Sequence, residues 1–442
     1  MSLSFGTDGV RGAANTELTA EYALAFGRAL ARVLRPERVV VGRDTRISGP
    51  MLEGAVCAGL SAEGVAVELL GVCPTPAVAW ACAARGTAGL MISASHNPYG
   101  DNGLKVFSPG GLKLTDAQEA AFTPVLGRVL AGDLGAASPT VGPVTTDATV
   151  LDGYAGAVAA SIEGRSLDGL SIVVDCANGA ASAVAPGLLR SLGARVVALA
   201  DRPDGTNINA GCGSTHLEVL QAAVTAQGAD LGLAFDGDAD RVLAVDHAGR
   251  VIDGDQLIAV CALDRHRRGR LAHGTVVVTV MTNLGFRLGM AARGIVVRET
   301  AVGDRYVLEE LEAGGYSLGG EQSGHLIFRD LATTGDGLLS AVQVLDLCAR
   351  SGTRLAELAD EAMTRLPQVL RNVRVQGPAG TVVEALRGPI AAATARLGDG
   401  GRVLVRPSGT EPVVRIMAEA TDAGEAEAVV AELVAAAESV RG

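Results

Sequence analysis

The sequence predicts an α/β protein: three similar mixed-sheet α/β/α domains and a smaller C-terminal α+β domain around a central cleft. Three observations carry this. Short β-branched runs alternate with Ala/Leu-rich stretches of helical character, the pattern of parallel α/β layers. The alternation comes in three similar blocks, so it reads as an internal repeat. Beyond Leu366-Pro367 the pattern changes to that of a smaller unit.

In chain order, the first block has a strand at 38–42, a helix near 50–63, a strand at 65–70 and another at 90–93. The second opens at Ile172-Val173-Val174-Asp175, with a helix near 181–192 and strands at 195–199 and 231–235. The third opens at 276–280, with a helix near 284–293, a strand at 295–298 and a polar, Gly-rich stretch from 319. The last element of each block runs into the most chemically loaded loop of its segment. Joints are expected in the Gly/Ala/Ser/Pro/Thr-rich stretch 132–143, near 253–255 and near 366–367. The expected domains are therefore 1–150, 151–254, 255–367 and 368–442. The last has strands at 370–375 and 403–405 and helices at 380–396 and 424–440. Four domains bounding one cleft suit a medium-sized polar ligand.

Length alone, 442 residues, suggests about three domains at roughly 150 residues each. With 48% hydrophobic but only 3% aromatic residues, and 58 glycines, the cores should be aliphatic, and composition rules out disorder. The 37 Lys and Arg stand against 49 Asp and Glu, a formal charge of −12. That balance argues against non-specific nucleic-acid binding, and an anionic ligand must meet locally placed arginines. Seven cysteines, at 57, 73, 82, 176, 212, 261 and 348, form no C-x-x-C pair; they read as reduced thiols of a cytoplasmic protein. No signal peptide is visible at the start. The longest uncharged apolar stretch, 69–84, is too short to span a bilayer and contains Pro74 and Pro76. Only two lysines occur, Lys105 and Lys113, neither in a Walker A context, and no G-x-G-x-x-G follows a strand. A P-loop nucleotidase is excluded on those grounds, and a Rossmann dinucleotide site has no support.

The strongest chemical signal is Phe235-Asp236-Gly237-Asp238-Ala239-Asp240-Arg241, directly after an apolar strand. Three carboxylates at alternating positions can converge on one hard cation, with Gly237 letting the backbone turn tightly. An EF-hand does not fit: the sixth position is Arg241 rather than Gly and the twelfth is His247 rather than Glu. Octahedral positions left for a phosphate oxygen suit Mg²⁺, and Arg241 could grip that phosphate. Second is Ile92-Ser93-Ala94-Ser95-His96-Asn97-Pro98. Ser95, at a strand exit and followed by His96, is placed as a nucleophile. Serine hydrolases compete, but their G-x-S-x-G elbow is absent. Third is Gly319-Gly320-Glu321-Gln322-Ser323-Gly324-His325, which suits hydroxyl or amine recognition and equally an ordinary turn. Fourth is Arg406-Pro407-Ser408-Gly409-Thr410-Glu411-Pro412 with Arg415, whose amides, hydroxyls and guanidinium groups form an oxyanion cradle.

These motifs, with Phe5-Gly6-Thr7-Asp8-Gly9-Val10-Arg11-Gly12 and Gly42-Arg43-Asp44-Thr45-Arg46, resemble the α-D-phosphohexomutase superfamily from residue 5 to about 417. Within it the chain looks most like the bacterial phosphoglucosamine mutases. That narrower likeness rests on the opening motif, on 319–325, on Pro203-Asp204-Gly205-Thr206-Asn207-Ile208-Asn209 and on 406–412. The resemblance implies interconversion of glucosamine 6-phosphate and glucosamine 1-phosphate through a 1,6-bisphosphate, in the cytoplasm, on the way to UDP-N-acetylglucosamine and cell wall. It implies Ser95 as phosphoserine, with Asp236, Asp238, Asp240 and that phosphoserine on Mg²⁺. Arg11, Lys105 and His325 would be acid/base or charge-stabilising groups, with His96 beside the nucleophile. Arg43 and Arg241 would meet substrate, Glu321 and Ser323 would hold sugar hydroxyls, and Arg406, Ser408, Gly409, Thr410 and Arg415 would grip the non-reacting phosphate. A glucosamine or glucose 1,6-bisphosphate would prime the enzyme. Partners would be a small-molecule sugar phosphate, with no nucleic acid and no membrane, for a monomer or homodimer. A phosphoglucomutase or phosphomannomutase would share every catalytic part, and a non-catalytic sugar-phosphate-binding protein would keep the cradle alone.

Overall fold

The structure, a computed structural model, describes residues 3, 9–133, 138–408 and 413–440. Its first sheet holds β1 (Val10–Ala13), β2 (Arg38–Arg43), β3 (Ala66–Val72), β4 (Ala88–Ile92), β5 (Asp101–Phe107) and β6 (Val144–Thr146), in the order β1-β5-β4-β2-β3-β6. The second holds β7 (Ser171–Asp175), β8 (Arg195–Leu199), β9 (Leu231–Phe235), β10 (Val242–Asp246) and β11 (Val251–Ile252), in the order β11-β10-β9-β7-β8. The third holds β12 (Thr275–Thr279), β13 (Val296–Thr300), β14 (Leu318–Gly320) and β15 (Leu326–Phe328), in the order β13-β12-β14-β15.

One plan underlies all three. A central strand pairs in parallel on both sides: β2 with β3 and β4, β7 with β8 and β9, β12 with β13 and β14. The third parallel strand then turns back into an antiparallel neighbour, β4 into β5, β9 into β10, β14 into β15. β4, β9 and β12 are buried along their whole length, as strands covered on both faces must be. Aliphatic side chains fill most of that space, with Phe235 at the end of β9 the one aromatic among them.

The helical expectations hold with two breaks. Residues 181–192 form a short 3₁₀ turn, Ala180–Ala183, then an α-helix, Ala185–Ser191, with Pro186 in its first turn. Residues 380–396 split into Ala379–Ala385 and Arg387–Leu397; Pro389 falls in the first turn of the second, where no helical N–H bond is needed. The apolar stretch 69–84 finishes β3 and enters a helix, Thr75–Arg85, with Pro76 in its first turn.

By contacts the chain divides into two units, Met1–Met281 with Ile295–Ala359 and Thr282–Gly294 with Asp360–Gly442. The second has an antiparallel sheet of β16 (Gln368–Arg374), β17 (Arg402–Pro407) and β18 (Val413–Glu419), in the order β16-β18-β17. It also holds the helix Leu284–Ala291. Buried Glu419 explains this placement: it accepts from the Leu284 amide at 3.0 Å and from Arg402 Nε at 2.9 Å. All seven cysteines are buried thiols. Among the described residues no helix is long and apolar enough to cross a membrane.

Candidate functional site

Each of the first three signature motifs occupies the turn between a third parallel strand and its antiparallel partner. The Ser95 loop joins β4 to β5, residues 236–241 join β9 to β10, and 321–325 join β14 to β15. The repeat therefore presents its chemistry at equivalent points.

Ser95 is buried and takes a left-handed backbone, φ 54°. That conformation is uncommon for a non-glycine residue, and a fully buried guanidinium holds it. Arg46 pairs with Asp44 at 2.8 Å and donates to the carbonyls of Ser95 (2.9 Å), Asn97 (2.9 Å), Asp101 (3.0 Å) and Pro98. Asn209 donates to the Ser95 carbonyl as well, at 2.9 Å. The Ser95 hydroxyl thus points at the acidic loop and donates to Asp236 Oδ2 at 2.5 Å.

In the acidic loop the left-handed residue is Ala239, φ 57°, and not Gly237. Glycine is required at 237 for proximity instead: a Cβ there would lie 2.5 Å from the Ser95 carbonyl oxygen. Thr75, opening the helix Thr75–Arg85, donates its hydroxyl to Asp238 Oδ2 at 2.6 Å and its amide to the Asp238 carbonyl at 2.9 Å. Lys105, on β5, is buried with Nζ 2.7 Å from Asp238 and 3.4 Å from Asp240. A lysine kept at the surface by chance is excluded. His325 Nδ1 lies 3.7 Å from Asp240, and its Nε2 lies 3.3 Å from Asp304, which Lys113 also contacts.

The three carboxylates are buried and differ electrically. Burial, with Asp240 and Asp238 nearby, raises Asp236 well above the ordinary carboxylate range. Burial opposes ionisation of Asp240 too, but Lys105, His325 and Arg241 hold it well below. His325 is raised, because Asp240 and Asp304 outweigh its burial. Glu321 is raised chiefly by burial; its Oε1 accepts from the Gly303 amide at 3.2 Å.

Candidate ligand atoms of Asp236, Asp238 and Asp240 lie within 4.8 Å of one another. Asp238 Oδ1 and Asp240 Oδ1 are buried without a hydrogen-bond partner. Orphaned carboxylate oxygens on an all-oxygen set fit a hard divalent cation.

Of the other expected residues, Arg241 Nη1 lies 3.4 Å from His96 Nδ1, and Arg11 sits on β1 opposite Gly103. Ser323 has a buried hydroxyl without a hydrogen-bond partner. Arg43 turns to Glu53, at 3.4 Å. Arg406 and Arg415 oppose each other across β17 and β18. Burial, then Arg415, lowers Arg406, and both Nε atoms are buried without a partner. Two like charges side by side fit an anion between them. The Ser408 amide donates to the Val413 carbonyl at 2.9 Å; Gly409 and Thr410 lie outside the described residues.

Sequence reasoning assigned no role to Arg46, Thr75 or Asp304. Arg46 stood in the quoted Asp44-Thr45-Arg46 run, where a charge pair just after a buried strand is the signal. Thr75, between two prolines, opens a helix.

His96 yields a pH prediction. Burial, then Arg241 and Arg11, pushes its pKa down to about 4 from 6.5. As pH falls from 6.5 towards 4, the unfolded chain takes a proton that the fold refuses, so stability should decline; below 4 His96 adds no further loss. Urea unfolding across that window should show a shallower pH slope in His96→Gln than in wild type. Identical slopes would contradict the burial argument.

Profiles of the phosphoglucomutase/phosphomannomutase family match in order: alpha/beta/alpha domain I over residues 2–125, domain II over 152–249, domain III over 253–366 and the C-terminal domain over 370–436. A phosphoglucosamine mutase of Frankia alni is 56% identical over 445 residues, covering 96% of this chain and 95% of that protein. One of Mycolicibacterium smegmatis is 52% identical, covering 100% and 99%. Among solved structures, a phosphoglucomutase/phosphomannomutase family protein of Burkholderia thailandensis superposes with a TM-score of 0.84 at 26% identity, covering 98% of this chain and 97% of that one. Aspergillus fumigatus N-acetylphosphoglucosamine mutase, solved with GlcNAc-6P and magnesium, shares the fold with a TM-score of 0.71 at 20% identity, covering 100% and 96%. With four domain profiles matched in sequence and in register with the four sheets, the chain belongs to the phosphoglucomutase/phosphomannomutase family.

Proposed function

We propose that this enzyme interconverts glucosamine 6-phosphate and glucosamine 1-phosphate, with Ser95 as its phosphoryl carrier and a 1,6-bisphosphate between two half-reactions. The observation that carries the reading is the Ser95 hydroxyl 2.5 Å from Asp236 in a buried triad of carboxylates. In the first half-reaction the bond from phosphorus to Ser95 Oγ breaks as one forms to the free sugar hydroxyl. In the second, the other phosphoryl group returns to Ser95.

Asp236, Asp238, Asp240 and phosphorylated Ser95 would hold Mg²⁺, which supplies charge neutralisation for the transferring group. The chain's own residues do the rest. Arg46 fixes the Ser95 loop, Thr75 fixes Asp238, and Lys105 balances Asp238 and Asp240. Arg11 and Arg241 remain cationic throughout, whereas Lys105 and His325 can give or take the hydroxyl proton. Glu321 and Ser323 receive sugar hydroxyls, and Arg406, Ser408 and Arg415 grip the non-reacting phosphate. A glucosamine or glucose 1,6-bisphosphate primes the carrier, and the enzyme works in the cytoplasm on a free sugar phosphate.

Two measurements test this reading. Protein as purified should carry one phosphoryl group on the peptide containing Ser95. In kcat/KM, glucosamine phosphate should exceed glucose phosphate by about 10- to 200-fold, the range for a site that tolerates an amine–hydroxyl exchange. A higher value for glucose or mannose phosphate would sink the glucosamine assignment.

A further inference from the structure

Residues 303–305 lead into the helix Asp304–Gly314 and face two ways. Inward, they hold the 321–325 loop. Gly303 has φ 133°, a backbone that residues with a side chain rarely adopt, and its amide donates to Glu321 Oε1 at 3.2 Å. Asp304 lies 3.3 Å from His325 Nε2. The first and last residues of the loop are thus tied to one pair of neighbours. Gly335 closes on the His325 ring as well, since a Cβ there would collide with it.

Outward, the same stretch meets the segment that follows β5. Lys113 contacts Asp304, and each side chain is 10% exposed. Arg305, 8% exposed, contacts Asp116 and Glu119. The charges run minus, plus at 304–305 and plus, minus, minus at 113, 116 and 119, so they match in one register only. Parting such a pair strands a mostly buried charge, which penalises any slide. The Thr333 hydroxyl adds a hydrogen bond to the Gly111 carbonyl at 2.9 Å.

Lys113 is also fixed to the strand that carries Lys105. Phe107, the end of β5, bridges Lys113 in antiparallel, and the Ser108 amide donates to the Leu112 carbonyl at 2.7 Å. One hairpin therefore sends Lys105 to Asp238 and Asp240, and Lys113 to Asp304. These are the chain's two lysines. Since β5 follows the Ser95 loop, a short run of contacts joins that loop to Glu321 and His325.

We infer that Lys113, Asp304 and Arg305 are positioning residues: they clasp the 321–325 loop to the hairpin after β5 and so align the bound sugar's hydroxyl with Ser95. What is aligned rests on the mutase reading above; the clasp does not. None of the three transfers a group itself, yet a misplacement of about 1 Å costs on the order of 100-fold in rate.

The test variants are Asp304→Asn and Lys113→Met in the full-length protein. In each, kcat for glucosamine phosphate should fall about tenfold or more with KM within about threefold of wild type, because the grip on the other phosphate is untouched. The double variant should turn over no more than about threefold below Asp304→Asn alone, since both changes open one contact. Hydrogen exchange read by mass spectrometry needs no substrate: peptides covering 318–328 should exchange at least about threefold faster in Lys113→Met, while those of β7 stay unchanged. Arg305→Met opens the neighbouring contacts, should act alike, and serves if Lys113→Met misfolds.

Wild type that turned over no hexose phosphate would sink the mutase reading and leave the clasp to be judged by exchange. Unchanged exchange at 318–328 in both Lys113→Met and Arg305→Met overturns the clasp. Faster exchange with kcat within about threefold of wild type, or a loss confined to KM, overturns its role in alignment.

Discussion

Ser95→Ala is expected to turn over at least about 10³-fold more slowly than wild type, because the atom that accepts and returns the phosphoryl group is gone. Phosphate incorporation at that peptide should vanish with it. The fold should persist. Alanine can hold the φ of 54° under the same constraint from Arg46, and what is lost is the hydroxyl donated to Asp236 and its longer contact, 3.4 Å, with His96 Nδ1. Leaving that buried acceptor short costs about 1–3 kcal/mol, which thermal unfolding would register as a modest shift. Turnover within about tenfold of wild type would place the carrier elsewhere.

Arg46→Leu should bring the largest loss of stability, about 3–5 kcal/mol, since it strands Asp44 as an unpaired buried charge. It also removes the donor for four loop carbonyls, so the Ser95 turn should relax and turnover should fall with stability. Urea unfolding measures the first effect and kcat the second. Removing Asp44 together with Arg46 should recover part of the lost stability, because no lone charge then remains. If Arg46→Leu costs less than about 1 kcal/mol, the guanidinium is not the keystone of the loop.

The three-block pattern was legible because parallel strands write themselves as Val/Ile/Leu runs: 38–42, 195–199 and 231–235 were read within a residue of the observed bounds. Two helices read as continuous are broken, since periodicity does not see where a proline sits relative to a helix start. The chemical loops were legible as well, because Asp-Gly-Asp-Ala-Asp and Ser-Ala-Ser-His-Asn-Pro are unusual runs at strand ends. What the sequence could not give was proximity. Lys105 is 133 residues from Asp238, and nothing local distinguishes it from a solvated lysine. Thr75 on Asp238 is likewise a product of two sheets meeting, and Asp304 on His325 joins two loops of the third sheet. Gly237 was assigned the turn, but Ala239 makes the turn and Gly237 makes room.

Asp236 is raised above the ordinary carboxylate range by burial and by two neighbouring carboxylates, so a proton and a cation compete for the same oxygens over a wider span of pH than at an ordinary aspartate. Where Asp236 is protonated, cation uptake by the unphosphorylated protein is also proton release. Below the raised pKa of Asp236, the apparent affinity should fall by about tenfold for each unit of pH. A phosphoryl group on Ser95 adds negative charge to the same cluster, so it strengthens both the hold on the proton and the pull on the cation. The loading state of the serine thus sets how many protons accompany each ion, and the acidity of the surroundings becomes part of the enzyme's affinity for its metal.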